Sequence, residues 1–351
     1  MKTYRSILCI AAGLLFFVAA CRQDADPTPT SNPQAPTSTV ASSAPVVEPI
    51  TATSSAQPAD EAKKGPIYEW LVTWGDDPSS GISFSSPNGI AIDSSDNVYV
   101  TEFRGNRVQK FTPDGVLVTQ WGSEGSGNGQ FRNPTGIAID DKDNIYISES
   151  GNHRVQKFTS DGQWLATWGS RGSGDGEFLS AMVVAVDRDG NLYVSDWGNS
   201  RIQVFDSDGA FLDSRVSRGK KPGELTTPTG LKIDGDGNLW VVDRGNNRVQ
   251  KFTVDGRFLA TWGEEGDSHG FFRVPTSIAI DGDGNFYVAE VGNSRVQIFS
   301  SAGEFLSEIA PGFLSMPHGL AFDSAGNLYV GDTGNNFVKK FKLADPISIK
   351  Q

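Results

Sequence analysis

The sequence predicts an all-β fold, a six-bladed β-propeller of four-stranded antiparallel blades whose last blade is closed by the N-terminal strand. Three observations carry this reading. One unit recurs six times, with anchor aspartates at Asp93, Asp140, Asp187, Asp234, Asp281 and Asp323, so the period is 47 residues four times and then 42. A fixed period of that length marks a solenoid or a propeller. Each unit contains four short strand patterns separated by turn residues, with no space for a helix. Finally, "EWLVTWG" at Glu69–Gly75 has the pattern of a fourth strand but no unit in front of it.

Taken in chain order, the first element is a processing signal. Lys2 and Arg5 precede "ILCIAAGLLFFV", an apolar run too short to span a bilayer comfortably, and "VAAC" places Cys21 directly after two alanines. The pattern resembles the lipobox of bacterial lipoproteins. Residues 1–20 are therefore expected to be a lipoprotein signal peptide and Cys21 the lipidated mature N-terminus, with ordinary secretory cleavage after Ala20 as the alternative. Cys9 leaves with the signal, so Cys21 has no intramolecular partner, which excludes disulfides and cysteine-rich metal sites. The chain is expected to be exported and lipid-anchored to the bacterial cell envelope.

Residues 21–64 are rich in Pro, Thr, Ser and Ala and nearly free of aromatic residues. Such a stretch buries too little apolar surface to offset its ordering entropy, so a disordered tether is expected. The propeller is then expected over residues 66–346.

Two of the six units show the repeat: "PTGIAIDDKDNIYISESGNHRVQKFTSDG" from Pro134 and "PTGLKIDGDGNLWVVDRGNNRVQKFTVDG" from Pro228. In the second unit, "GLKID" is the first strand, "NLWVVD" the second and "RVQKF" the third; a "DG" turn leads to the fourth, "FLATWG". Apolar residues occupy both faces of the first two strands, as expected for sheets sandwiched between neighbours. These units resemble NHL repeats from about Ile67 to Leu343, and six of them imply a six-bladed propeller. The sixth copy ends at "FVKKFKLADP" without a fourth strand. "EWLVTWG" supplies one with the right spacing, since Gly75 precedes Pro87 by 12 residues, as Gly122 precedes Pro134 and Gly169 precedes Ala181. Closure of this kind leaves no exposed sheet edge between the first and last blades.

A net charge of −12 argues against a general nucleic-acid binder, which needs a basic surface to displace counterions. The "DGDGN" loops at Asp234 and Asp281 superficially suggest calcium sites. The twelfth position of each such loop, where an EF-hand needs glutamate, holds Gly245 and Gly292, so hairpin turns are expected. An acid ends the second strand with an arginine five residues later in Glu102/Arg107, Glu149/Arg154, Asp196/Arg201, Asp243/Arg248 and Glu290/Arg295. Repetition in five copies points to scaffold bracing. Phe337 replaces the arginine in the sixth copy, leaving Asp332 without its expected partner.

Function is expected where repeats differ, around the mouth of the central channel. The residue after each loop proline (Asn88, Thr135, Met182, Thr229, Thr276 and His318) and the variable rim residues Phe103, Arg104, Trp197, Arg244 and Asp332 are the candidate ligand-binding set. His318, in "MPHGLAFD", resembles the "PH" motif that carries zinc ligands in the propeller lyase of peptide amidation. That pattern needs histidines on alternate blades, where this chain has Thr135 and Thr229. No metal or other cofactor is therefore expected. The expected function is a monomeric binding or sensor module for a protein, peptide or glycan ligand at the cell envelope. The alternative is a lyase or hydrolase with its active site at the channel mouth.

Overall fold

Five repeats each fold into a four-stranded antiparallel meander, the sixth supplies three strands of a sixth such sheet, and together the six sheets make the all-β propeller. The structure is a computed structural model, and it describes residues 66–309 and 312–344. The expected signal peptide, the tether and Cys21 lie outside the described residues, as do residues 345–346 of the expected propeller. Helical turns among the described residues are two short 3-10 segments, Pro78–Ser80 and Arg244–Asn246.

The first blade runs Pro87–Ile92, Val98–Glu102, Arg107–Phe111 and Leu117–Trp121; the fourth runs Pro228–Ile233, Asn238–Asp243, Arg248–Thr253 and Phe258–Trp262. The sixth sheet orders Tyr68–Trp74, Phe337–Leu343, Leu328–Asp332 and Pro317–Phe322. Tyr68 lies opposite Leu343, Trp70 opposite Phe341 and Trp74 opposite Val338, with a bulge between Trp70 and Val72. Two further contacts fix this strand to the fifth blade: Tyr68 and Tyr287 hydroxyls meet at 3.2 Å, and Ser307 Oγ donates to the Pro66 carbonyl at 2.6 Å.

Apolar burial sits between blades rather than in a single core. Six clusters occupy the six seams; Trp74, Tyr329 and Val338 of the last blade pack with Ile90, Val98 and Phe111 of the first. The connection entering each blade adds one plug to its seam, at Phe84, Phe131, Phe178, Leu225, Phe272 and Leu314, all buried. Each plug stands three residues before the first strand of its blade, a regular spacing that the sequence carries.

Two polar networks repeat with the blades. At one end of the second strand, Glu149 is fully buried and accepts from Arg154 Nε at 2.6 Å, Gln156 Nε2 at 2.8 Å and Asn152 Nδ2 at 2.6 Å. Arg154 also donates to the Ser126 and Gln130 carbonyls at 2.7 Å each, tying the plug loop to the blade. The other four acid–arginine pairs are present too, at 2.5 to 3.1 Å. At the opposite end, Asp234 accepts from Asn238 N and Trp240 Nε1 at 2.8 Å and faces Lys251 Nζ at 2.9 Å. This is hairpin-turn chemistry, in which the aspartate satisfies the turn's own donors.

Asp332 corrects one expectation. It is not left alone by Phe337, because Lys339 Nζ reaches Asp332 Oδ2 at 3.0 Å and Asn335 Nδ2 donates to it at 2.9 Å. Lys339 stands where the other five copies carry glutamine (Gln109 in the first), two residues along the same strand face, so it supplies the missing cation.

Candidate functional site

The first strands of all six blades contact one another in a closed ring, so they form the wall of the central channel. Their backbones approach closely. A Cβ on Gly136 would stand 2.6 Å from Val183 Cα, and one on Gly319 would stand 2.2 Å from the Asn88 carbonyl oxygen. Only glycine permits that approach, and it keeps the ring narrow.

The candidate residues separate into two groups. Thr135, Thr229 and Thr276 are buried between blades. Thr135 Oγ1 donates to the Met182 carbonyl at 2.5 Å and Thr276 Oγ1 to the Pro317 carbonyl at 3.1 Å, so both staple neighbouring first strands. Thr229 Oγ1 is buried without a hydrogen-bond partner among the described residues. None of the three faces water, which corrects their expected place in the mouth; the Thr135 and Thr276 hydroxyls turn back onto the adjacent first strand. Asp332 is likewise fully buried and held by Lys339, so it belongs to the scaffold.

The second group keeps contact with solvent. Asn88, Phe103, Met182, Arg244 and His318 are half-buried, while Arg104 and Trp197 are exposed. His318 Nδ1 lies 2.9 Å from the Met316 carbonyl. Burial among the surrounding strands lowers its pKa to about 4; the Met316 carbonyl opposes that shift, and the positive charge of Arg244 adds to it. His318 is therefore neutral at pH 7. A carbonyl can only accept, so the proton sits on Nδ1 and Nε2 is left as an acceptor.

Arg244 follows the second strand of the fourth blade, and its guanidinium has neither a hydrogen-bond acceptor nor a carboxylate partner among the described residues. Burial pushes its pKa down. A third channel group went unrecognised in the sequence. Lys232 occupies the first strand of the fourth blade where the other copies carry Ala91, Ala138, Ala185, Ala279 and Ala321. It is exposed to solvent on a strand of the channel wall, and desolvation lowers its pKa. No carboxylate pairs with it among the described residues. The signal was legible in "GLKID" against "GIAID", a break in the repeat on an inner strand.

The described residues contain no group of three or more His, Cys, Asp or Glu side chains placed to hold a metal ion. The solvent-facing mouth instead joins one neutral imidazole to one uncompensated guanidinium, with a second cation in the channel.

Against known proteins, the model of the virginiamycin B lyase family matches residues 82–340. No curated protein matches the chain. Among solved structures, a catalytically inactive histidine-to-alanine form of virginiamycin B lyase from Staphylococcus aureus, with quinupristin, is 17% identical; the match covers 74% of this chain and 80% of that one, with a TM-score of 0.54. A streptogramin B lyase is 16% identical, with coverage of 81% and 100% and a TM-score of 0.58. A gluconolactonase from Xanthomonas campestris is 17% identical, with coverage of 82% and 99% and a TM-score of 0.58. At these identities the structural likeness is one of fold.

Proposed function

The chain belongs to the virginiamycin B lyase family, and from that premise we propose that it works as a binding or sensor propeller, exported and lipid-anchored through Cys21, with repeats of NHL type. Its ligand is a protein, peptide or glycan met at the cell envelope, seated at the channel mouth. The observation that supports this reading is the side-chain chemistry of the mouth. Arg244 and the neutral His318 offer donor and acceptor groups for recognition, while the grouped donors a catalytic metal requires are not found among the described residues. A guanidinium in the same mouth also repels a divalent cation, so these residues do not fit a metal centre.

Lyase activity is the second reading, and one feature favours it. His318 presents a free Nε2 at neutral pH, the form a general base needs. A relative's single histidine-to-alanine form is described as catalytically inactive, and that relative holds quinupristin.

The two readings part in one experiment. The full chain is incubated with quinupristin, and loss of the intact compound is followed by mass spectrometry, with His318→Ala in parallel. The binding reading expects no loss above the buffer control in either sample. Turnover by the native chain that disappears in His318→Ala overturns it. A panel of envelope peptides and glycans is then screened by thermal shift, and a ligand of this site loses its shift in Arg244→Met.

A further inference from the structure

Basic side chains set within the blades have fixed partners. The five repeat arginines, and Lys251, Lys339 and Lys340, each reach a carboxylate within the blades at 2.5 to 3.2 Å. Arg244 and Lys232 do not, although the chain carries a net charge of −12 and acidic groups are abundant. Both belong to the fourth blade, Lys232 on its first strand and Arg244 just beyond its second. Arg244 is half-buried and Lys232 exposed, and desolvation lowers the pKa of each.

Charged groups withdrawn from bulk water are costly unless compensated. Within the blades these cations meet a carboxylate or, for Lys157, the Ser207 carbonyl; the side chains of Arg244 and Lys232 meet neither among the described residues. His318, also in the mouth, stays neutral partly because of the Arg244 charge, so it does not serve as the counter-group. Lys232 adds a further signal. The first strand tolerates alanine at this position in five blades, so a long cation there is not demanded by packing. Lys232 is exposed on a strand of the channel wall, opposite Trp240 and toward the Asp234 turn.

We propose that the channel binds an oxyanion, a carboxylate or phosphate group, with Arg244 as its principal ligand at the mouth and Lys232 supplying a second positive charge within the channel. Arginine matches the paired oxygens of such a group with parallel N–H donors, and lysine acts as a point charge. The inference rests on the binding reading above only for the site. It adds that the anchoring group of the ligand is anionic.

The test uses the full chain with two probes, succinate and inorganic phosphate, titrated by calorimetry at low salt. Binding by one or both is expected, weakening as salt rises. Preference for succinate identifies a carboxylate site, and preference for phosphate identifies a phosphate site. Arg244→Met should reduce affinity at least about tenfold, the loss of one charge-assisted contact. Lys232→Ala should reduce it severalfold and leave the melting temperature unchanged or higher, because it installs the residue of the other five blades. Failure of both probes to bind at millimolar concentration overturns the inference, as does affinity indifferent to both substitutions. An envelope ligand whose thermal shift needs Arg244 while both anions fail would leave the binding reading standing and remove this one alone. Anion binding with quinupristin turnover would do the reverse.

Discussion

Lys339 Nζ lies 3.0 Å from Asp332 Oδ2, in the blade whose third strand opens on Phe337 where five others open on arginine. Asp332 is fully buried, and its other contacts are the Ser315 amide at 2.7 Å and Asn335 at 2.9 Å. Removing one partner of a buried pair strands the other charge. Lys339→Met should therefore cost about 3 kcal/mol in urea unfolding. The double change Phe337→Arg with Lys339→Gln rebuilds the arrangement of the other blades and should recover most of that loss. A single-variant cost under about 1 kcal/mol would show the pair to be dispensable.

That pair also shows where sequence reading stops. The period, the strand patterns and the five acid–arginine pairs are local features repeated along the chain, so their spacing alone exposes them. The partner of Asp332 is not legible from the arginine position, because the strand face decides which cation reaches it. Residues two apart on a strand point to the same side, so a cation at either serves. The threonines after the loop prolines were placed in the mouth because position in the repeat says nothing about rotamer; Thr135 turns its hydroxyl onto Met182 of the next blade instead. Lys232 is hard to see for the opposite reason: it lies inside a strand, whereas most variation between the repeats falls in the loops.

The seam between the last and first blades turns on Trp74. Its ring lies 5.3 Å from Phe111 and 5.5 Å from Tyr329, joining the two blades, and it is buried, whereas Trp70 on the same strand is 53% exposed. Trp74→Ala should cost about 3–5 kcal/mol and Trp70→Ala under about 1 kcal/mol. Equal losses in urea unfolding would mean that the strand contributes by backbone pairing and not by this ring.

Tight approach of the channel strands predicts a second contrast. A Cβ at Gly319 meets backbone, the Asn88 oxygen at 2.2 Å and Ile90 N at 2.8 Å, whereas one at Gly282 meets nothing within 4 Å. Gly319→Ala must push the last and first blades apart, at a cost of about 1–3 kcal/mol. Gly282→Ala should change stability by less than about 0.5 kcal/mol. Melting curves that coincide for the two variants would show the ring to be looser than its glycines require.

The acid limb of stability should carry the signature of His318. Its pKa is depressed to about 4 by burial first, with Arg244 adding to the shift against the Met316 hydrogen bond. An unfolded histidine titrates near about 6.5. Between those values the unfolded chain binds the proton more readily, so this residue's contribution raises stability as pH climbs from about 4 to about 6.5 and is constant above. Asp234 works in a separate window. Burial raises its pKa, but hydrogen bonds from Trp240, Asn238 and Lys251 outweigh that and hold it at about 2, so its stabilisation is lost only as pH falls below about 4. His318→Gln, which cannot charge, should flatten the melting-temperature profile between pH 4 and 6.5 and leave the limb below it unchanged. In the native chain, Arg244→Met should raise the His318 pKa, read from the imidazole proton shifts, yet leave it below the free value because burial is the larger cause. Profiles that run parallel for native chain and His318→Gln would place the imidazole in ordinary solvent and remove it from the enclosed mouth.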